Sequence, residues 1–286
     1  MPSSRRAFLA TASLAAAGIA GCADRVPSSS TPTADGETAT LGESISVDDA
    51  EITVAEFAVV HSYQYLSAPD AFGVESAGDG WFAFVGVTAQ GSSPPARDAF
   101  TLDVADERIA PADAAFGPVR DLAPVGDGAY TAAETRGYLH FAVPHSPAVD
   151  TAAVTLDDAR WSIPASTFDP LRATPPAFAV TYDVPDAVGH DDPVPIRLDV
   201  TNTGGAGVCR GAINHHGPMH GGDAFSLSLA AGASTTHETT VDYHVGENIG
   251  DRLQFAVVVP GESRSFEVSL DGDGTAMPSR PSRYSR

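Results

Sequence analysis

From residue 44 onward the chain is written in short runs in which apolar and polar positions trade places, each ending at Gly, Pro or Asp. A period of two puts alternate side chains on opposite faces of a strand. Residues 51–60 (EITVAEFAVV) set Ile52, Val54 and Glu56 against Thr53, Ala55 and Phe57. Residues 81–90 (WFAFVGVTAQ) are β-branched and aromatic, and too short for a helix. Further strands are predicted at 100–104, 137–143 (GYLHFAV), 152–156 and 160–163. Beyond the N-terminal segment, no window of about a dozen residues carries the 3.6-residue period of an amphipathic helix.

After a Pro-rich stretch (TFDPLRATPP, 167–176) the same grammar resumes. Strands are predicted at 178–184, 194–201, 206–213, 224–229, 234–243, 252–259 and 263–270. About seven strands in about 95 residues suit an immunoglobulin-like sandwich. Residues 196–200 alternate cleanly and should bury Ile196, Leu198 and Val200. The fold expected is all-β: two tandem immunoglobulin-like β-sandwiches, at 44–168 and 177–270, joined by a linker at 169–176. Residues 22–43 are Ser, Thr, Pro, Ala and acid with little to bury, and read as a disordered tether. Residues 271–286 have no apolar pattern and read as a disordered tail.

The first 21 residues are of another kind. Arg5 and Arg6 precede an uncharged, Ala-rich run from 7 to 20. It is too short to span a bilayer core of about 30 Å. Ser-Arg-Arg-Ala-Phe-Leu (4–9) resembles the twin-arginine export signal, which implies export of an already folded protein. Ile-Ala-Gly-Cys (19–22) resembles the lipobox of exported lipoproteins. That resemblance implies cleavage before Cys22 and lipid attachment to its sulfur. Stable anchoring then takes two acyl chains, because one binds a membrane only marginally. The implied location is the extracytoplasmic face of the cell membrane, with the membrane itself as a partner through the lipid on Cys22.

Charge sharpens the picture. The chain contains 16 Arg and no Lys, and its net charge is −21; loss of Arg5 and Arg6 with the signal makes it −23. Such a surface repels itself in dilute buffer. At molar salt the Debye length falls to about 3 Å and the repulsion is screened. The composition resembles that of proteins from halophilic archaea. Nucleic acid is excluded as a partner, for no basic patch exists to neutralise phosphates. With Cys22 lipidated, Cys209 is left alone, so no internal disulfide is expected.

Two further resemblances bear on the folded part. Ile52-Thr53-Val54, residues 82–88 (FAFVGVT) and Phe100-Thr101-Leu102 resemble the telokin-like, immunoglobulin-type domains of exported prokaryotic lipoproteins, although Gln90 stands where that family usually has Asn. In the second half, a strand followed by Asn202-Thr203-Gly204, and Leu-Ala-Ala-Gly-Ala-Ser at 229–234, resemble the cell-adhesion-related domain of bacterial and archaeal surface proteins. Both resemblances imply a fold, and neither names a ligand.

Candidate chemistry is confined to one cluster: Cys209, then His215-His216-Gly217-Pro218-Met219-His220. Imidazole, thioether and thiolate together suit copper or zinc. A blue-copper centre is excluded, because its Cys-to-His gap is shorter and its loop lies between the last two strands. Cys209 alternates with Gly211 and Ile213 and reads as a small core residue. What remains is a metal set of His215, His216 and His220 on the loop after the third strand, completed by His244. Signatures of enzymes, namely H-E-x-x-H, G-x-S-x-G, a P-loop or G-x-G-x-x-G, are absent from the sequence. The leading reading is a non-enzymatic lipoprotein with a binding or structural role toward an extracellular protein or glycan, needing no cofactor. A copper- or zinc-binding protein is the alternative, and an accessory solute-binding protein the third.

Overall fold

The computed structural model describes residues 36–113, 117–120, 122, 125, 128–190, 192–216, 221–243 and 251–271. The first half contains β1 (Thr38–Thr40), β2 (Ser44–Val47), β3 (Ala50–Val60), β4 (Ser62–Ala68), β5 (Ala71–Ser76) and β6 (Gly80–Gly91). It continues with β7 (Phe100–Val104), β8 (Glu107–Ile109), β9 (Val119–Arg120), β10 (Arg136–Pro144), β11 (Ala152–Leu156), β12 (Ala159–Ser162) and one short helix, α1 (Ala165–Phe168). The second half contains β13 (Phe178–Asp183), β14 (Ala187–Gly189), β15 (Val194–Asn202) and β16 (Gly207–His216). β17 (Gly221–Leu229), β18 (Ser234–Val241), β19 (Arg252–Val259) and β20 (Glu262–Asp271) complete it. The fold is all-β.

These strands form five sheets. In the first half, β1-β12-β11-β7-β8 and β10-β6-β3-β2 enclose a core that includes Ile52, Val54, Phe100, Leu102, Phe141, Val154 and Trp161. In the second half, β13-β15-β18 and β14-β20-β19-β16-β17 enclose another, built on Ile196, Leu198, Val200, Ile213, Phe255 and Val257. The fifth sheet, β5-β4-β9, contributes Tyr63 and Val119 to a third core with Phe82, Phe84 and Tyr138.

β6 shows why its sequence is apolar throughout. Trp81, Ala83, Val85 and Val87 face the first core, while Phe82 and Phe84 face the third. A strand covered on both faces loses polar alternation. β3 shares this position but changes parity midway. Ile52 and Val54 face the first core, whereas beyond Glu56 the same face is taken by Phe57 and Val59. The register to β6 shifts between Ala55 and Phe57, and Glu56 adopts φ 55°. A β-bulge therefore inserts one residue and flips every side chain after it. The simple alternation expected through Glu56 and Phe57 is corrected by this bulge.

Two expected boundaries also move. The stretch read as a tether contains β1, which pairs in parallel with Arg160–Ser162 of β12. The Trp161 indole N–H donates to the carbonyl of Glu43 at 3.0 Å. Residues 36–43 thus belong to the fold, held by backbone pairing that their polar composition does not advertise. The start of the predicted linker is likewise part of the first half. Phe168 and Leu171, from α1 and the 3₁₀ turn Asp169–Arg172, are buried in the first core. Arg172 closes this segment, donating from Nε to the Val149 carbonyl at 2.6 Å and covering the Phe168 ring. Residues 1–35 and 272–286 lie outside the described residues.

Candidate functional site

The predicted anchoring and export residues Cys22, Arg5 and Arg6 lie outside the described residues, as do His220 and His244 of the predicted metal set. His215 and His216 are described, and they are not on a loop. β16 runs on through both, because β17 starts at Gly221 and pairs with it from His215↔Gly221 to Gly207↔Leu229. Gly222 permits that approach: a Cβ there would lie 2.7 Å from Asn214 Oδ1. Consecutive strand residues face opposite ways. His215, in step with core residues Cys209 and Ile213, is half-buried, and His216 is exposed on the other face. The two imidazoles therefore do not converge as a loop would have allowed.

Asp223 is an acidic neighbour of His215, with Oδ2 4.0 Å from Nε2. Burial holds the pKa of His215 below the ordinary value, opposed by the Asp223 charge. Cys209 is a fully buried thiol, and burial pushes it up to about 12. It packs in the second core rather than facing His215's acidic partner. Among the described residues no group of three or more His, Cys, Asp or Glu side chains is placed to hold a metal ion.

The most concentrated buried polar chemistry lies elsewhere, where the β4–β5 hairpin meets β16 and β17. Gln64, 1% exposed, donates from Nε2 to the carbonyls of Gly211 and Phe225 at 2.6 and 2.8 Å. Asn214 grips the hairpin with its whole amide: Phe72 N–H donates to Oδ1, and Nδ2 donates to the Phe72 carbonyl, both at 2.8 Å. Arg210 donates to the Ser62 carbonyl at 3.0 Å. Charge and amide groups from one half thus satisfy backbone groups of the other, and the two halves are docked through directed bonds. Apolar contact alone would fix their distance; these bonds also fix their register.

The aromatics near Gln64 do not form an open surface. Tyr63 is buried against Phe82, Phe84 and His140, and burial raises its phenol pKa. His140 is 3% exposed and stacks on Phe84 at 5.2 Å; burial pushes it down to about 4, with Arg97 adding to the effect and Asp113 opposing it. His145 makes a 3.3 Å hydrogen bond with the Arg172 carbonyl. A groove of about 720 Å³ opens beside Asp183, Pro195, Arg197 and Glu238. Its Arg197 is already paired with Asp199 at 3.1 Å and Glu238 at 2.8 Å.

Asn214, Arg210 and the twofold use of Gln64 escaped the sequence reading, because a buried amide in a strand looks like any solvent-facing polar position. The one available signal was Gln64 between two tyrosines. No protein-family model matches this chain, and no curated protein matches it.

Proposed function

We propose that this is a lipid-anchored extracytoplasmic protein with a binding or structural role, exported folded and held to the membrane through Cys22. The folded part consists of two immunoglobulin-like sandwiches presented to an extracellular protein or glycan, in a high-salt environment that screens its acidic surface. The observation that carries this reading is the succession of Ser-Arg-Arg-Ala-Phe-Leu and Ile-Ala-Gly-Cys within the first 22 residues. Burial of Cys209 supports it by removing the other cysteine of the chain as an accessible acceptor. The docked halves agree with a folded-state export route, which requires an interface already made before transport.

Anchoring is tested by fractionation. Cys22→Ser should move the protein from the membrane pellet to the medium, whereas Cys209→Ala should leave it in the pellet. Retention of Cys22→Ser at the wild-type level removes the lipid anchor from the reading.

A further inference from the structure

We propose that His61 makes the junction between the two halves a proton-sensitive latch, closed while its imidazole is neutral and loosened when the ring takes up a second proton.

His61 stands at the crossing point of the two halves. It immediately precedes β4, the strand that supplies Ser62 and Gln64 to the junction. Its ring lies edge-on to Trp81 of the first half at 6.2 Å and to Phe178 of the second at 6.4 Å. Trp81 in turn donates its indole N–H to the carbonyl of Ala173, in the segment that joins the halves. Movement at His61 is therefore felt by both sides of the junction.

The site accepts one protonation state. The ring is 6% exposed. Nε2 lies 2.9 Å from the Gly78 carbonyl, which accepts its proton. Nδ1 is then the unprotonated nitrogen, and it is buried with no hydrogen-bond partner among the described residues. A second proton on Nδ1 would create a buried donor with nothing to receive it.

The charged surroundings act in the same direction. β16 brings Arg210, which lowers the proton affinity of His61 through its positive charge and also donates to Ser62, the next residue. The 77–81 turn brings Asp79, which is solvent-exposed, and β13 brings the uncharged Phe178. A protonated His61 would add a second positive charge near Arg210, which bonds the next residue at the contact that closes the junction. Neutral His61 is favoured in the closed form, so the closed form binds fewer protons than the open one. Closure is complete above the ordinary imidazole pKa of about 6.5 and weakens as pH falls below it.

The Phe72 amide reports on the latch directly, because its N–H is bonded to Asn214 across the junction. Hydrogen exchange on the full chain in high salt, expressed as protection relative to the unstructured rate at each pH, should show its protection falling about tenfold or more between pH 7.5 and 5. Amides of the central strands β11 and β15 report the general loss of stability in acid, which should be largely retained in His61→Gln, whereas the fall at Phe72 should not. His61→Gln retains a donor for Gly78 but cannot take up the proton, and should abolish the fall at Phe72. A constant protection at Phe72 in the wild type, or the same fall in His61→Gln, overturns the latch. Should His61→Gln not fold, NMR titration of the wild-type imidazole decides: Phe72 exchange rising with the His61 proton-uptake curve supports the latch, and exchange rising independently of it overturns it.

Discussion

Replacing Asn202 by Ala should destabilise the second half by about 3 kcal/mol or more, the largest loss expected from any single polar side chain described here. Asn202 ends β15 and is fully buried. Its Oδ1 accepts from Gly204 N–H at 3.1 Å and Ala177 N–H at 3.3 Å. Its Nδ2 donates to the carbonyls of Gly205 at 2.6 Å and of Leu229 and Ala230, both at 3.2 Å. One amide therefore joins the entry of β13, the turn after β15 and the turn before β18. Alanine removes this partner from the Ala177 and Gly204 N–H groups and from the Gly205 carbonyl, each costing roughly 1–3 kcal/mol if it stays buried, while the Ala230 carbonyl keeps its bond from the Ala233 N–H. Asn202→Asp keeps the shape but turns the donating edge into an acceptor facing three carbonyls. It should be at least as damaging near neutral pH and recover partly in acid, when the carboxyl can donate again. Thr203→Ala, which removes an exposed 3.2 Å bond to the Ala177 carbonyl, should cost roughly 0.5 kcal/mol. Denaturant midpoints of the three variants measure this. An Asn202→Ala midpoint indistinguishable from that of Thr203→Ala would remove Asn202 from its central place.

The same residue explains why part of the second half was legible beforehand. Asn202-Thr203-Gly204 and Leu-Ala-Ala-Gly-Ala-Ser are separated by more than twenty positions, yet they are the two ends of one cross-link. The strand grammar was equally open to reading: 100–104 and 152–156 coincide with β7 and β11, and Ile196, Leu198 and Val200 are buried as their alternation predicts. What could not be read is whatever depends on a third layer. β4 and β5 mix Tyr, Gln, Ser and Gly because one face meets an aromatic core and the other meets polar groups of β16. Neither face repeats a simple apolar code. Glu56 hid a bulge because it continued the polar–apolar alternation into a run, 57–60, that is apolar on both faces, where a parity flip leaves no mark in the sequence. The histidine pair was placed on a loop because the predicted strands stop at 213 and resume at 224, whereas the missing side chain at Gly222 lets β17 pair along the end of β16.

Acid should destabilise the first half through His140, and the sign follows from where its proton affinity lies. An unfolded His binds a proton near pH 6.5. In the fold, burial among Tyr63, Phe82, Phe84 and Tyr138 pushes His140 down to about 4. Between those values the unfolded chain binds a proton that the folded chain does not, so stability falls as pH falls. The full contribution is present above pH 6.5. It is lost progressively toward pH 4, amounting to roughly 3 kcal/mol from this ring alone. His61, His215 and His237, each also lowered chiefly by burial, add to the same slope. The contribution of His140 is therefore read as a difference. His140→Phe keeps an aromatic ring beside Phe84 and removes the titrating group, so it should flatten the dependence of the denaturant midpoint between pH 6.5 and 4 without abolishing it. The exposed carboxylates Glu43 and Asp199, lowered by hydrogen bonds from Thr40 and Thr236, lose their contribution at still lower pH and leave this window unchanged. If wild type and His140→Phe lose stability in parallel from pH 6.5 to 4, the aromatic layer between β4 and β6 tolerates the charged ring, and the acid response has to be sought at the other histidines.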